Sequence, residues 1–170
     1  MTFTPFPNLV TERLVLRQLS LQDENEIFFL RSDDRVLEYI DNPKAESVDD
    51  ARKFIEKINN FLRLDESVLW AICLKGSATL IGTICFWNIE KQDLTAEIGY
   101  VLHPDKQGQG IMQEAIQPVI EYGFSEMKLK SIAAHLKVNN IKSLNLLKRN
   151  GFVLTKECDD ENYVLYTRLP

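Results

Sequence analysis

The segment Gln107-Gly108-Gln109-Gly110-Ile111-Met112 follows a predicted strand and begins an amphipathic helix. Its two glycines let the backbone turn tightly and bring N–H groups close to a ligand. The first turn of the following helix adds N–H donors without intrahelical partners and the positive end of the helix dipole. The segment therefore indicates an anion site suited to a pyrophosphate, while a flexible loop before a helix is the simpler alternative.

Upstream of this segment, hydrophobic patterning predicts three strands joined by short polar turns, which is typical of an antiparallel meander. The strands are Val68 to Leu74, Leu80 to Asn88 and Leu94 to Leu102. Before them, the pairs Ser20/Asp23 and Ser47/Asp50 are helix-start signals, because their side chains can satisfy free N–H groups of a first helical turn. They predict one helix to about Ser32 and a second helix with apolar residues at helical spacing.

Downstream, the helix that follows the glycines contains Pro118, which removes one backbone hydrogen bond and predicts a kink near Glu114 to Pro118. Asn140 is the predicted N-terminal cap of a short helix. This helix is predicted to end at Asn150-Gly151, because glycine is favoured just past a helix C-terminus. The other predicted strands are Arg13 to Leu19, Ser131 to Val138, and a hairpin of Phe152 to Cys158 and Tyr163 to Leu169 across the acidic turn Asp159-Asp160-Glu161. The order β-α-α-β-β-β-α-β-α-β-β predicts a mixed sheet in a single domain over residues 1–170.

The composition is typical of a globular protein, with 45% apolar and 26% charged residues. No run approaches the ~18 apolar residues that span a bilayer. The first ten residues contain two prolines and no basic residue. We therefore expect no signal peptide, no membrane association and a cytoplasmic location.

The net charge of −5 is uneven, since Ser20 to Asp50 holds ten acids and three bases, a local charge of −7. An acidic protein lacks the basic surface that phosphate contacts need, so we expect no nucleic-acid partner. The acidic segment has two interpretations, a rim that attracts a cationic amine or a solvated helix face.

The cysteines Cys73, Cys85 and Cys158 have wide spacings and form no Cys-x-x-Cys pair. We expect reduced, mostly buried thiols, with a catalytic thiol as the less favoured alternative. The two histidines, His103 and His135, are too few and too far apart for a histidine-based zinc site, so we expect no metal.

The glycine segment resembles the acetyl-CoA-binding motif of GNAT acetyltransferases, Gln/Arg-x-x-Gly-x-Gly/Ala. Gln107 and Gly110 match its first and fourth positions, and Met112 departs from the small residue at its sixth. Further pieces, in family order, resemble the subgroup that includes the ribosomal-protein N-terminal (alanine/serine) acetyltransferases. They are Thr11-Glu-Arg-Leu-Val-Leu-Arg-Gln-Leu19, Leu80-Ile-Gly-Thr-Ile84, Ala96-Glu-Ile-Gly-Tyr-Val-Leu102 and Asn140-Ile-Lys-Ser-Leu-Asn-Leu-Leu-Lys-Arg-Asn-Gly-Phe152.

The resemblance implies the GNAT fold, an α/β fold of the α+β type with a mixed, mostly antiparallel central sheet of about seven strands flanked by about four helices. It also implies acetyl-CoA as the donor and direct attack by a primary amine without a covalent enzyme intermediate. A protein N-terminal amine is one candidate acceptor. The implied cofactor-binding residues are Ile98, Gly99, Tyr100, Val101, Leu102, Gln107, Gly108, Gln109, Gly110, Ile111, Met112, Asn140 and Ser143.

Two residues are candidates for the chemistry. Glu97 lies on an otherwise apolar strand and matches an acidic position of the subgroup, so it is the candidate general base; the alternative is a cross-strand partner or an exposed residue. Ser143 matches the serine of the family's Asn-x-x-Ser pattern and could support the leaving thiolate; the alternative is an ordinary residue of a first helical turn. Asn140 could cap this helix and also contact the pantetheine arm.

Several further residues have open roles. Leu147 stands where many relatives have a tyrosine acid, and Tyr100 and Tyr163 are candidates to replace it. The candidates for contact with the nucleotide phosphates are Lys106, Lys142 and Lys148, although such lysines are often only solvated. The residues expected in the core are Trp70, Trp87, Phe86, Phe28 and Phe29, of which Trp87 and Phe28 could instead line an acceptor pocket.

Two other functions stay open at this level. The missing tyrosine and Met112 are compatible with a non-catalytic acyl-CoA-binding sensor, which would bind the cofactor and release no CoA. Another class of nucleotide-binding protein is disfavoured, because the loop lacks the Lys-Ser/Thr of a P-loop and the chain has no Gly-x-Gly-x-x-Gly. The expected partners are acetyl-CoA and an amine acceptor, and the expected state is a monomer or a homodimer.

Overall fold

The computed structural model describes residues 1–157 and 160–170, which form eight strands and five α-helices. The strands are β1 Leu9–Val10, β2 Leu14–Gln18, β3 Val68–Leu74, β4 Leu80–Glu90, β5 Thr95–Leu102, β6 Ser131–Lys137, β7 Val153–Glu157 and β8 Tyr163–Arg168. The helices are α1 Glu24–Leu30, α2 Asp34–Leu37, α3 Val48–Arg63, α4 Ile111–Ser125 and α5 Ile141–Arg149. Short 3-10 turns cover Leu21–Asp23 and Pro104–Lys106.

The strands form one sheet in the order β1-β2-β3-β4-β5-β6-β8-β7. Neighbouring strands pair antiparallel except β5 and β6, which pair in parallel. This mixed, mostly antiparallel sheet confirms the predicted fold class and the meander of β3, β4 and β5. The elements missing from the prediction, β1 and α2, span two and four residues. They are too short to produce a hydrophobic period.

Both helix-start signals lie at the beginning of helical structure. The Asp23 carboxylate accepts the N–H of Ser20 at 2.9 Å around the first 3-10 turn, and α1 begins at the next residue. Ser47 and Asp50 each accept the other's N–H, at 3.3 and 3.2 Å, at the start of α3. Helix α1 ends at Leu30 rather than near Ser32. Its last turn tightens there, because the N–H of residue 32 donates to a carbonyl only three residues back.

Alternate side chains of the central strands face two different helix layers. Trp70 and Phe86 lie on the face that packs against α4 and α5, where both are fully buried as predicted. Leu69 and Cys85 lie on the opposite face, which packs against α1 and α3. Because helices cover both faces, β3 is buried along nearly its whole length and has a continuous apolar sequence.

Helix α4 extends through Pro118 and closely approaches the sheet. The kink that Pro118 predicts stays a prediction. Gly123 lies at the closest approach, since an added Cβ would lie 2.9 Å from the Cζ atom of Phe86. The missing side chain therefore sets how near α4 lies to the strands.

The C-terminal elements follow their predicted signals. Asn140 Oδ1 accepts the N–H of Ser143 at 3.2 Å and caps α5, and Gly151 just past this helix has a φ of +79°. Strands β7 and β8 form the predicted antiparallel hairpin, whereas Cys158 and Asp159 of the predicted strand and turn lie outside the described residues. Within the described ranges, no helix has the length and apolar character that a membrane span requires.

Candidate active site

Strands β5 and β6 separate after a short parallel ladder. Their pairing covers residues 95–97 of β5 and 131–133 of β6, but β5 continues to Leu102 and β6 to Lys137. On this side of β5, residues 98–102 have no strand partner within the described part of the chain. Such a free strand edge can pair with an extended ligand.

A cavity of about 970 Å³ opens where the two strands separate. Its walls come from β4, β5 and β6, from α5, and from the α1–α3 layer. The predicted site residues that line it are Glu97, Ile98, Gly99, Tyr100, Val101, Asn140 and Ser143. Leu102 and the glycine segment 107–112 lie outside the lining. The cavity therefore brings together the predicted cofactor-binding strand, the candidate base Glu97 and Ser143. Its size suits a small-molecule substrate.

Glu97 is held by two polar neighbours at the cavity wall. Asn88 Nδ2 donates to Glu97 Oε1 at 2.8 Å, and His135 Nδ1 lies 3.2 Å from Glu97 Oε2. The glutamate side chain is 14% exposed, whereas the histidine is 45% exposed. The carboxylate is therefore oriented by its partners, and the histidine connects it to solvent, an arrangement that suits proton transfer.

His135 and Asn88 are functional candidates that sequence reasoning missed. Glu97 pairs with Ala133 in the parallel ladder, so the histidine two residues farther along β6 faces the same side of the sheet. Asn88 follows Trp87 on β4, and Trp87 pairs with Glu97 of β5. Both contacts depend on the strand register, which the sequence pattern does not provide.

Tyr100 and Ser143 lie together in the same cavity. Burial raises the pKa of Tyr100 to about 12, and a hydrogen bond with the Ser143 hydroxyl acts in the opposite direction. The phenol is therefore protonated at neutral pH and available as a donor. Leu147, at the position of the family tyrosine, is fully buried and contributes only apolar surface, while Tyr163 also lines the cavity.

The glycine segment has the backbone that its two glycines predict. Gly108 and Gly110 have φ values of +72° and +73°, a left-handed conformation that favours glycine. Gly110 precedes α4, and among the described residues no side chain caps this helix. The N–H groups of its first turn are therefore available to an anion. Met112 packs against the core, so its departure from the family motif leaves these donors in place.

Contacts on both sides hold the glycine segment. Arg13 Nη1 donates to the carbonyl of Gln109 at 3.0 Å, and its Nε donates to Glu114 Oε2 at 2.6 Å. On the other side, Lys142 Nζ donates to Gln107 Oε1 at 3.1 Å. The segment is thereby connected to α5, which carries Asn140 and Ser143 into the cavity. This contact brings Lys142 next to the glycine segment.

The aromatic predictions need one correction. Trp87 is 49% exposed and lines the cavity, so the expectation that it belongs to the core is wrong. By strand alternation its side chain lies on the same face of β4 as Cys85, where both residues line the cavity. Phe28 is absent from the cavity wall, where Phe54 and Phe61 of α3 lie instead.

The two cysteines in the described part of the chain are poor candidates for a nucleophile. Cys85 lines the cavity, but burial raises the pKa of its thiol to about 12, so the reactive thiolate is scarce. Cys73 is buried and free, while Cys158 lies outside the described residues. Across residues 1–157 and 160–170, no group of three or more metal-ligating side chains is assembled.

The acidic segment between Ser20 and Asp50 faces mainly outward. Of its ten acidic residues, only Asp41 contributes to the cavity wall. Others form ion pairs at the surface, namely Glu24 with Arg52, Asp34 with Lys44 and Asp49 with Lys53. The solvated face is therefore the better description of this segment.

Comparison with known proteins agrees with the fold. The family model for the acetyltransferase (GNAT) domain matches residues 13–153. The chain is 35% identical over 147 residues to the uncharacterized N-acetyltransferase YoaA of Bacillus subtilis (strain 168), covering 86% of this chain and 83% of that protein. It is 41% identical over 75 residues to the ribosomal-protein-serine acetyltransferase of Escherichia coli (strain K12), covering 44% of this chain and 42% of that protein.

A solved structure has the same architecture. The spermidine N-acetyltransferase from Vibrio cholerae, in complex with CoA and spermine, superposes with a TM-score of 0.83 at 23% identity, covering 94% of this chain and 96% of that chain. At this identity the likeness shows the fold, while the family match and the sequence relatives carry the activity. The chain therefore belongs to the GNAT family and is an acetyl-CoA-dependent N-acetyltransferase.

Proposed function

We propose that the protein acetylates a primary amine by direct attack on the acetyl-CoA thioester, and that Glu97 accepts the proton of the amine. The observation that carries this proposal is the position of Glu97. Its carboxylate lies where β5 and β6 separate, lines the cavity and is oriented by Asn88 and His135. An amine is protonated near neutral pH and must lose a proton before it attacks, which is the role of such a base.

The donor site fits acetyl-CoA in two respects. The free edge of β5 at residues 98–102 offers N–H and C=O groups to an extended, amide-bearing arm. The uncapped start of α4 after Gly110 offers N–H donors to a diphosphate, and Lys142 adds a positive charge beside the segment. When bound, the thioester supplies an acetyl group that is already activated for transfer, so no covalent enzyme intermediate is required.

Ser143 and Tyr100 are the proposed donors to the departing thiolate. Both line the cavity, and the high pKa of Tyr100 keeps the phenol protonated, so that its O–H can donate a hydrogen bond to the thiolate. Tyr100 would thereby replace the tyrosine that the family has at position 147. Asn140 uses its side-chain oxygen to cap α5, which leaves its NH₂ group for the pantetheine arm.

The proposed acceptor is an amine that can enter the cavity from the α1–α3 side. A protein N-terminal amine is favoured by the partial match to the ribosomal-protein-serine acetyltransferase, while the spermidine N-acetyltransferase makes a polyamine the comparison to test. A cytoplasmic location, and a monomer or homodimer without nucleic-acid or membrane partners, stay expectations.

The test measures CoA release and acetylated product together. Purified protein with acetyl-CoA is offered peptides that begin with serine or alanine, spermidine, or no amine. The proposal predicts that CoA release and the mass-detected acetylated amine rise in equal amounts with at least one acceptor. Binding of acetyl-CoA without product from any amine would instead indicate a protein that only senses the cofactor.

A further inference from the structure

Arg31 is a cation inside the cavity without an anionic partner. It is the C-cap residue of α1, lines the cavity, and has its guanidinium carbon 4.1 Å from the ring centroid of Phe54. Within the described ranges, no carboxylate forms an ion pair with it. Burial lowers the pKa of Arg31, which reflects loss of water around the charge without compensation by a nearby anion.

A second cation extends this wall along α3. Lys57 also lines the cavity, its Nζ lies 5.5 Å from the ring centroid of Phe61, and no ion pair engages it in the part of the chain that the structure describes. Arg31 and Lys57 thus give the α1–α3 wall a positive and aromatic character, and Glu97 lies on the opposite, sheet wall. The cavity has a carboxylate base on one side and cations on the other.

The acidic residues of the lining do not neutralise this wall. Asp41 is held by Lys137, whose Nζ is 2.6 Å from its Oδ1, and Glu97 is held by its own partners. Glu66 lies in an exposed position. In addition, the buried Ser67 hydroxyl lines the cavity and has no hydrogen-bond partner among the described residues. A buried polar group without a partner is costly unless a ligand or water satisfies it.

We propose that Arg31 binds a carboxylate of the acceptor, so that the preferred acceptors carry a carboxylate in addition to the amine that is acetylated. Such acceptors are free amino acids or peptides with an acidic residue near the N-terminus. A planar guanidinium can bind a carboxylate through two parallel hydrogen bonds while one face remains stacked on Phe54. The inference rests on the proposed transfer at Glu97 and separates these acceptors from polyamines, which have no carboxylate.

The test compares acceptors that carry a carboxylate with their carboxamide counterparts. One arm pairs alanine with alaninamide, and the other pairs the amidated dipeptides Ser-Asp and Ser-Glu with Ser-Asn and Ser-Gln; spermidine is included as a polyamine. In at least one arm, kcat/KM for the acceptor with the carboxylate should be about tenfold or more above that for its carboxamide. The arm that shows the preference identifies the source of the carboxylate.

Variants assign the preference to Arg31. Arg31→Gln should make acid and amide equivalent, because it lowers kcat/KM for the acid. Arg31→Lys, which keeps the charge without the bidentate geometry, should retain part of the preference. Arg63→Gln removes an exposed charge outside the cavity and should retain the full preference for the acid. Equal use of acids and amides by the wild type, or a preference that Arg31→Gln leaves unchanged, overturns the inference.

A binding measurement separates this inference from the proposed function. Calorimetry on CoA-loaded protein gives the affinities of the N-acetylated acids and amides for the wild type and Arg31→Gln. In one outcome, the wild type binds the acids selectively, Arg31→Gln loses this selectivity, and no amine is turned over. This outcome supports the carboxylate site and contradicts the transfer reaction. Turnover without selectivity in either assay supports the transfer reaction and contradicts the carboxylate site.

Discussion

Glu97 is the residue on which the proposed chemistry depends most. Its carboxylate has two fixed partners, and the rest of its surroundings is the cavity into which the acceptor must enter. His135 lies on its solvent side, so in the proposed reaction a proton taken from the amine would have a route out of the site. We expect the histidine to act through the glutamate, as a positioning residue.

Glu97→Gln should lower kcat by about 10²-fold to 10⁴-fold, because the amide keeps the shape of the side chain and cannot accept the proton. The affinity for acetyl-CoA should stay near that of the wild type. Steady-state CoA release measures the first quantity, and calorimetry measures the second. Glu90→Gln is the matched control, since this exposed glutamate on β4 lies outside the cavity. A wild-type kcat in Glu97→Gln would assign the base to another group.

Asp23 makes a residue-level contribution to stability that depends on pH. Burial alone would raise the pKa of Asp23, but the Arg17 guanidinium at 2.6 Å and the Ser20 N–H lower it, and the net pKa is below 3.8. A carboxyl with a lower pKa in the folded protein adds stability above its unfolded pKa, and this stability is lost as the pH falls through the folded pKa.

The wild type should therefore exceed Asp23→Asn by about 1.5–3 kcal/mol in the free energy of unfolding at pH 7. The difference should begin to shrink below about pH 4, where the carboxyl of the unfolded chain is protonated. Urea denaturation of both proteins between pH 7 and pH 3 measures the effect. A difference that stays constant over this range would show that the ion pair does not cause it.

At the scale of elements, the approach of α4 to the sheet is set by Gly123. Alanine here gains about 1 kcal/mol of helix propensity. However, its Cβ would lie 2.9 Å from the Phe86 ring and 3.2 Å from Ile132, and the ring is fully buried. Overpacking of this kind costs about 1–3 kcal/mol, so Gly123→Ala should lower the free energy of unfolding by about 1 kcal/mol.

A double-mutant cycle in urea assigns this loss to packing. Phe86→Leu removes the ring edge, so Gly123→Ala should be neutral or stabilising in that background. If Gly123→Ala destabilises both backgrounds equally, the close approach of α4 is not the cause.

The elements also show which features the sequence can predict. Ser47 with Asp50 and Asn140 with Gly151 act on their own helices, so their roles are visible in the local pattern. Contacts of His135 with Glu97 depend on how β5 and β6 pair, and the pattern of each strand does not determine the register. Trp87 shows the same limit, because its exposure follows from its place at the cavity wall, which its hydrophobicity does not predict.

At the scale of the whole molecule, the site is assembled from segments distant in sequence. The order of elements and the family resemblance predict the sheet, the strand before the glycine segment and the serine of α5. They do not predict the opposite wall, where Arg31, Phe54 and Phe61 come together only when α1 and α3 pack on the sheet. The donor side of the site is therefore more predictable than the acceptor side.

We propose that acetyl-CoA binds along β5 and the glycine segment. Calorimetric titration of the wild type, Gly110→Trp and Gly76→Trp tests it most directly. Both glycines have a positive φ, so the variants carry similar backbone strain, but Gly76 lies in the distant turn between β3 and β4. We expect micromolar binding, about −8 kcal/mol, that Gly110→Trp abolishes and Gly76→Trp preserves. Absence of binding by folded wild-type protein, or equal binding by both variants, would contradict it.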